Sequence, residues 1–267
     1  MTLPELFALK GKVAIVTGAH AWLGYDIACI LAEAGCDVVV TSRDAGRARK
    51  TAEKIGRQFR VDTLGLTMDQ RYHEQVRAMA EQAHSWKGHL DILVNNAGGG
   101  SGKSPGHIFE RHPEDEAQMI AVNLTGVLYC CKEVARYMAE QGSGKIINIA
   151  SMAGLIGRDR RLYERSKMNG QPVDYAAAKA GVIGLTRDLA GALSPLGVHV
   201  NAISPGGFAK GDLPERFTRE FADRTMLGRW GRMGIDIKGP ALFLASAASD
   251  YVTGHNLVVD GGFSLWR

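Results

Sequence analysis

Short, nearly continuous apolar runs alternate along this chain with longer segments in which apolar residues recur at three- and four-residue intervals. The runs KVAIVT (12–17), DVVVTS (37–42), LDILVNNAG (90–98), GKIINIAS (144–151), GVHVNAISPGG (197–207) and NLVVDGG (256–262) are rich in Val and Ile and predict strands, with DTLGLT (62–67) a weaker one. The helical spacing predicts helices over 24–34, 45–59, 71–86, about 114–140 and 175–193, and a further one opening in DIKGPALFLAS (236–246). Strands apolar on both sides are covered on both sides. Their alternation with helices specifies a parallel sheet between helix layers. No repeat, linker or low-complexity segment divides the sequence, so one α/β domain is expected over 1–267.

The pattern breaks twice. Residues 99–113 are rich in Gly, Ser and Pro, and residues 154–174 are highly charged, with Arg158, Arg160, Arg161, Arg165 and Lys167 against two acidic residues between 158 and 167. Both breaks follow the C-terminal ends of strands, where open α/β sheets bind ligands. The first strand runs into TGAHAWLGYDIA (17–28). Gly18 and Gly24 frame a turn that opens a helix, an arrangement that presents backbone N–H groups and the positive helix end to a pyrophosphate. Trp22 stands where a middle glycine is expected. His20 in the same turn could touch phosphate or be an exposed loop histidine. At the end of the second strand, where an acidic residue would accept from a ribose 2′-OH, the chain carries Ser42 and Arg43, followed closely by Asp44. A guanidinium pairs with a 2′-phosphate and a hydroxyl donates to it, so NADP(H) is expected in preference to NAD(H).

Composition narrows the partners. Hydrophobic residues make up 45% of the chain, ample for a core, and the formal net charge is +4. The basic residues are scattered rather than gathered in a stripe, which argues against nucleic acid and suits small anions. Cys29, Cys36, Cys130 and Cys131 have neither CxxC nor Cys/His metal spacing, which predicts reduced thiols in a cytoplasmic protein and no metal site. His107 and His112 lack metal-ligand spacing too. The N-terminus lacks a signal-peptide pattern, and no run reaches the ~18 apolar residues of a membrane span.

Further motifs fall in register with the glycine turn: Asp69, NNAG (95–98), Asn123 in AVNLTG, Ser151 in NIASMAG, YAAAK (175–179), NAISPGG (201–207) and YVTGHNLVVDGG (251–262). With these the chain resembles the short-chain dehydrogenase/reductases over essentially its whole length, among them gluconate 5-dehydrogenase-like and 3-oxoacyl-carrier-protein reductase-like members. The resemblance implies a Rossmann-type, doubly wound, seven-stranded parallel sheet, and a homodimer or homotetramer built on two long helices. It implies a cofactor site of Gly18, His20, Trp22, Leu23, Gly24, Ser42, Arg43, Asp69 beside the adenine, Asn96, Ala97, Gly98, Tyr175, Lys179, Pro205, Gly206 and Phe208. Asn95 is expected to stabilise the sheet centre. The catalytic set implied is Asn123, Ser151, Tyr175 and Lys179.

The chemistry follows from residue types. Tyr175 and Lys179, four apart on a helix, share a face. A phenol titrates near ~10, and a nearby ammonium together with an oxidised nicotinamide favours its phenolate, so a lowered pKa is expected. Tyr175 would then give a proton to a carbonyl oxygen or take one from an alcohol, while Ser151 hydrogen-bonds the same oxygen. In the family the lysine also holds the nicotinamide ribose, and the main-chain carbonyl of the residue matching Asn123 anchors a water linking that lysine to solvent.

Three features depart from the family. Because positive φ is costly for a bulky side chain, Trp22 is expected to start its helix with ordinary negative φ and an outward indole, leaving nucleotide binding intact. Tyr175 follows Ser151 by 24 positions, roughly double the family's spacing, so an inserted basic loop at 154–174 should bulge at the site mouth. As a lid it would favour an anionic substrate, with the Arg160/Arg161 pair as its recognition element; a solvated loop or an oligomer contact is the alternative. Lys210 stands where the family often has a threonine, in a segment, 207–232, that also carries Arg216, Arg219, Arg224, Arg229 and Arg232. The reading is an oxidoreductase passing hydride between NADP(H) and a secondary alcohol or ketone, with a sugar, sugar acid or polyol first among substrates. A 3-oxoacyl-carrier-protein reductase is the rival enzyme, and a non-catalytic nucleotide-binding or scaffold protein the rival of another class.

Overall fold

A computed structural model describes residues 2–99, 103–209, 211 and 213–265. Its strands are β1 (Val13–Val16), β2 (Asp37–Ser42), β3 (Thr63–Thr67), β4 (Ile92–Asn95), β5 (Gly144–Ile149), β6 (Val198–Pro205) and β7 (Asn256–Val259). They form one sheet in the order β3-β2-β1-β4-β5-β6-β7, parallel throughout. The helices are α1 (Leu3–Phe7), α2 (Trp22–Glu33), α3 (Ala45–Phe59), α4 (His73–Lys87), α5 (Pro113–Ile120), α6 (Gly126–Glu140), α7 (Arg160–Arg165), α8 (Val173–Leu193), α9 (Glu215–Asp223) and α10 (Lys238–Ala245).

The continuous apolar runs have the meaning expected of them. Successive strand side chains point to opposite faces. Val13 and Ile15 of β1 join a core with residues of α4, α6 and α8, whereas Ala14 and Val16 join a second core with residues of α2, α3 and α10. The central strand β1 therefore needs apolar residues at every position. Strand order reverses between β1 and β4, which opens a crevice beyond the C-terminal ends of the central strands.

The predicted continuous helix over 114–140 is interrupted. Between α5 and α6 lies one π-helical turn, Ala121–Thr125, with Asn123 inside it. Such a bulge adds one residue to a single turn, a local change in spacing that a reading of 114–140 as one continuous helix passes over. The short helix α1 carries a full capping box, Thr2 with Glu5, that the sequence reading passed over.

Candidate active site

The glycine turn is built by close approach. Gly18 has φ +65°, and a Cβ there would lie 3.0 Å from Ala97 Cα; at Gly24 it would lie within 2.2 Å of Asn96 Nδ2. Thr17 Oγ1 accepts from the main-chain N–H of Asn96 (3.0 Å) and of Ala97 (2.9 Å), and Asn96 Nδ2 donates to Thr17 O (2.9 Å). These bonds clamp the ends of β1 and β4 together. Trp22 corrects the expectation: its φ is +54°, left-handed, although the indole is 49% exposed as anticipated. The turn keeps a glycine's path because Gly18, Gly24 and Asn96 fix it on both sides, at a local cost of about 1 kcal/mol. Helix α2 starts after Ala21 with no side-chain cap bond and no acidic residue in its first turn. Its N-terminus thus suits an anion, and Gly18, Gly24 and Gly98 let the turn pack closely against Ala97, Asn96 and Asn123, holding the backbone N–H groups of the strand end and helix start at the cleft, so the turn fits a dinucleotide.

At the end of β2, Ser42 Oγ accepts from Asp44 N (3.2 Å) and Arg43 is exposed. The Asp44 carboxylate accepts from Arg47 N (2.7 Å), capping α3. His20 titrates below its ordinary value through burial and the charges of Arg47 and Arg43. This corner is cationic, and Arg47, one turn into α3, is a contributor that sequence reasoning missed. Asp69, at the end of β3, is held by a fork from Arg71 (2.6 and 3.0 Å), which lowers its pKa.

Beyond the strand ends lies a cleft of about 680 Å³. From the first half of the chain it is lined by Gly18, His20, Trp22, Leu23, Ser42, Arg43 and Asp69, and by Asn96, Ala97 and Gly98 after β4. From the second half come Ser151, Tyr175, Lys179, Pro205, Gly206 and Phe208. Gly24 and Asn123 lie buried behind this lining. Asn123 Oδ1 accepts from Gly99 N (2.7 Å) and its Nδ2 donates to Met119 O (3.1 Å). A Cβ on Gly98 would sit 2.6 Å from Asn123 Oδ1 and 3.5 Å from Lys179 Nζ, so this strand-end backbone threads between the two side chains. Asn95, Asn148 and Thr186 form a buried chain across the sheet centre (2.9 and 3.0 Å). Gln70, which no motif pointed to, donates to Ala97 O (2.9 Å) and Val122 O (2.6 Å), tying the strand end to the π turn.

Tyr175 and Lys179 lie one turn apart on α8. Lys179 is 3% exposed; its Nζ donates to Ile149 O (2.7 Å) and lies 5.8 Å from the Tyr175 ring centre. Burial brings its pKa down to about 8. The expected acidification of Tyr175 by Lys179 is corrected: burial raises the phenol, and the influences opposing it are the neighbouring Ser151 hydroxyl and the charge of Arg158. Ser151, just past β5, accepts from Ala153 N (3.1 Å) through Oγ.

The family model described as enoyl-(acyl carrier protein) reductase matches residues 18–264. The chain is 37% identical to the 2-dehydro-3-deoxy-D-gluconate 5-dehydrogenase of Escherichia coli (strain K12), over 96% of this chain and 97% of that one. It is 35% identical to the 5-keto-D-gluconate 5-reductase of the same organism, over 97% of each. A gluconate 5-dehydrogenase from Burkholderia cenocepacia J2315, solved in complex with NADP and tartrate, superposes with a TM-score of 0.88 at 33% identity, covering 98% of this chain and 99% of that one. This chain is a short-chain dehydrogenase/reductase.

In this short-chain dehydrogenase/reductase the segment 154–174 is not a solvated loop. It folds into α7, capped by Asp159 and fixed through Leu162 and Tyr163 to Phe217 and Phe221 of α9 and to Trp230. Two of its five cations are ion-paired, Arg161 with Asp159 (2.8 Å) and Arg165 with Glu220 (2.5 Å), and Arg224 of the following segment reaches back to Asp159 (3.0 Å). Nearby, Arg216 pairs with Glu220, and Arg229 and Arg232 with Asp236. The basic excess read from sequence is therefore neutralised in part, at Arg161 and Arg165 within the segment and at Arg216, Arg224, Arg229 and Arg232 beside it. Arg158, Tyr163, Phe217, Phe221 and Trp230 line the cleft, while Arg160 and Arg161 do not. The assignment of anion recognition to the Arg160/Arg161 pair is corrected accordingly. Lys210 lies outside the described residues.

Proposed function

We propose that this enzyme passes a hydride between NADP(H) and the secondary alcohol or ketone carbon of a sugar acid of the gluconate class. The observation that carries the reading is the convergence of Ser151, Tyr175 and Lys179 on the same cleft as the glycine turn and the Ser42–Arg43 corner. NADP(H) supplies or accepts the hydride when bound. Gly18, Leu23, Gly24, Asn96, Ala97 and Gly98 with the α2 N-terminus would hold its pyrophosphate and ribose, and Arg43, Ser42 and His20 its 2′-phosphate. Asp69 would border the adenine, and Pro205, Gly206 and Phe208 the nicotinamide end.

In the reducing direction Tyr175 Oη donates its proton to the substrate carbonyl oxygen while the Ser151 hydroxyl hydrogen-bonds the same atom as charge develops. Arg158 favours the phenolate that remains, because its charge lowers the phenol's pKa. Lys179, titrating near 8, is held by Ile149 O and by the packing of Gly98 against it. Asn123 fixes that Gly98–Gly99 backbone. The chain acts as one domain over 1–267 and assembles as a homodimer or homotetramer. Four buried free thiols suit a cytoplasmic location.

A panel of 5-keto-D-gluconate, D-gluconate, neutral ketoses and acetoacetyl thioester, each with NADPH/NADP or NADH/NAD, tests the reading. NADPH-dependent reduction of the keto acid is expected. Turnover of the thioester alone would assign a 3-oxoacyl-carrier-protein reductase instead. Tight cofactor binding without any turnover would leave a nucleotide-binding scaffold.

A further inference from the structure

Arg158 is the cation of the inserted segment that reaches the cleft, and it is not paired as its neighbours are. Arg160 Nη1 donates to Gln171 O (2.5 Å), Arg161 holds Asp159 and Arg165 holds Glu220. Lys167 is exposed and does not line the cleft. Arg158, in contrast, lines the cleft with Ser151 and Tyr175. Its Nη2 is anchored on Pro172 O (2.8 Å), while its Nη1 is buried with no hydrogen-bond partner. Buried guanidinium donors are ordinarily satisfied; the Arg158 side chain already borders the cleft and is only half-buried, so a turn of its guanidinium that brings Nη1 to an acceptor supplied by the ligand relieves the unsatisfied donor.

The surroundings specify that acceptor. Among the described cleft-lining residues the sole acidic side chain is Asp69, which belongs to the cofactor end and is forked by Arg71. Among the described residues nothing acidic lines the substrate end. Tyr163, Phe217, Phe221 and Trp230 give that end an aromatic wall suited to C–H faces. Asp174 is near enough for its charge to act on Arg158, but its Oδ2 is committed to the fully buried Arg111 (2.8 Å), and its Oδ1 has no partner.

We infer that Arg158 is the specificity-determining residue of this site, its guanidinium taking the carboxylate of an oxo- or hydroxy-acid whose reacting carbon lies at Ser151 and Tyr175. The inference rests on the oxidoreductase reading and adds to it the group that selects acids over neutral ketoses. Selection would reside in a single side chain of the insertion rather than in a general basic lid.

The test compares wild type with Arg158→Met, Arg158→Lys and the control Arg161→Gln. KM is measured with NADPH for 5-keto-D-gluconate and for L-sorbose, a neutral ketose of equal carbon number. Calorimetric binding of D-gluconate to the NADP-saturated enzyme is measured alongside. Arg158→Met should raise KM for the keto acid, and weaken D-gluconate binding, by about tenfold to a hundredfold while leaving KM for L-sorbose unchanged, the loss of its charge beside Tyr175 lowering kcat for both ketones alike; Arg158→Lys should recover part of the loss. Arg161→Gln should match wild type. Equal increases in both KM values, or unaltered D-gluconate binding by Arg158→Met, would overturn the inference and assign Arg158 to holding the segment through Pro172 and Asp174. Reduction of L-sorbose without reduction or binding of the acids would overturn it while leaving the redox reading intact. Arg158-dependent D-gluconate binding without turnover of either ketone would instead overturn the redox reading alone.

Discussion

Replacing Lys179 with methionine separates what this residue costs the fold from what it does in the site. The side chain is almost wholly buried, with one protein acceptor, Ile149 O, within reach of its Nζ. Burial disfavours the charged form and lowers the pKa from the ordinary 10.5 to about 8, which corresponds to about 3 kcal/mol. The sign follows from proton counting. Between pH 8 and 10.5 the unfolded chain holds the proton and the folded one does not, so wild-type stability from this group rises with pH across that window. It is fully present above pH 10.5 and lost as pH falls through 8. Methionine fills similar volume and cannot titrate. The stability of Lys179→Met minus that of wild type, taken from urea unfolding of the cofactor-free enzyme, should therefore be larger at pH 7 than at pH 10.5 by about 3 kcal/mol. The variant should be inactive throughout. A difference that does not change with pH would refute the reasoning, since Lys179 would then keep its ordinary titration in the folded protein.

The remaining predictions address other parts of the molecule. Arg43→Ala should weaken NADPH by about tenfold or more and leave NADH nearly unaffected, read by nicotinamide fluorescence titration; equal losses would remove the 2′-phosphate assignment. Trp22→Gly should keep NADPH affinity and gain up to about 1 kcal/mol by relieving the left-handed backbone, whereas Trp22→Val should lose stability. A stability loss on Trp22→Gly would mean that the indole's packing outweighs its backbone strain. Arg111→Met leaves Asp174 buried without its guanidinium and should cost about 3–5 kcal/mol in urea unfolding, with much of the loss recovered in the double variant Arg111→Met/Asp174→Asn.

The strands were readable because a parallel sheet between two helix layers demands apolar residues on both faces of a central strand, as Val13 to Val16 illustrate with their alternating cores. The Tyr175/Lys179 spacing likewise survives into geometry, because four residues on a helix are one turn whatever surrounds them. What failed was set by tertiary context. Trp22 was assigned ordinary φ from its own bulk, but Gly18, Gly24 and Asn96 dictate the path of the turn. The Tyr175 pKa was argued from a neighbouring ammonium and the oxidised nicotinamide, whereas within the chain itself burial raises it against the Ser151 hydroxyl and Arg158, and Lys179 is turned to Ile149 O. The π turn around Asn123 adds one residue to one turn, a change confined to a single turn within the pattern read over 114–140. The basic insertion looked like an open cationic lid because its partners are distant along the chain: Glu220 lies 55 residues after Arg165, and Asp159 lies 65 before Arg224. Pairing of that kind is invisible to a charge count.

The central claim is that Tyr175 moves the proton that accompanies hydride transfer in this cleft. Its most direct test is single-turnover oxidation of NADPH by 5-keto-D-gluconate in wild type and Tyr175→Phe, with NADPH affinity titrated on the same preparations. The account predicts a rate lower by about 10²–10⁴-fold in the variant with NADPH affinity preserved. A near-wild-type rate from a variant that still binds NADPH would contradict it.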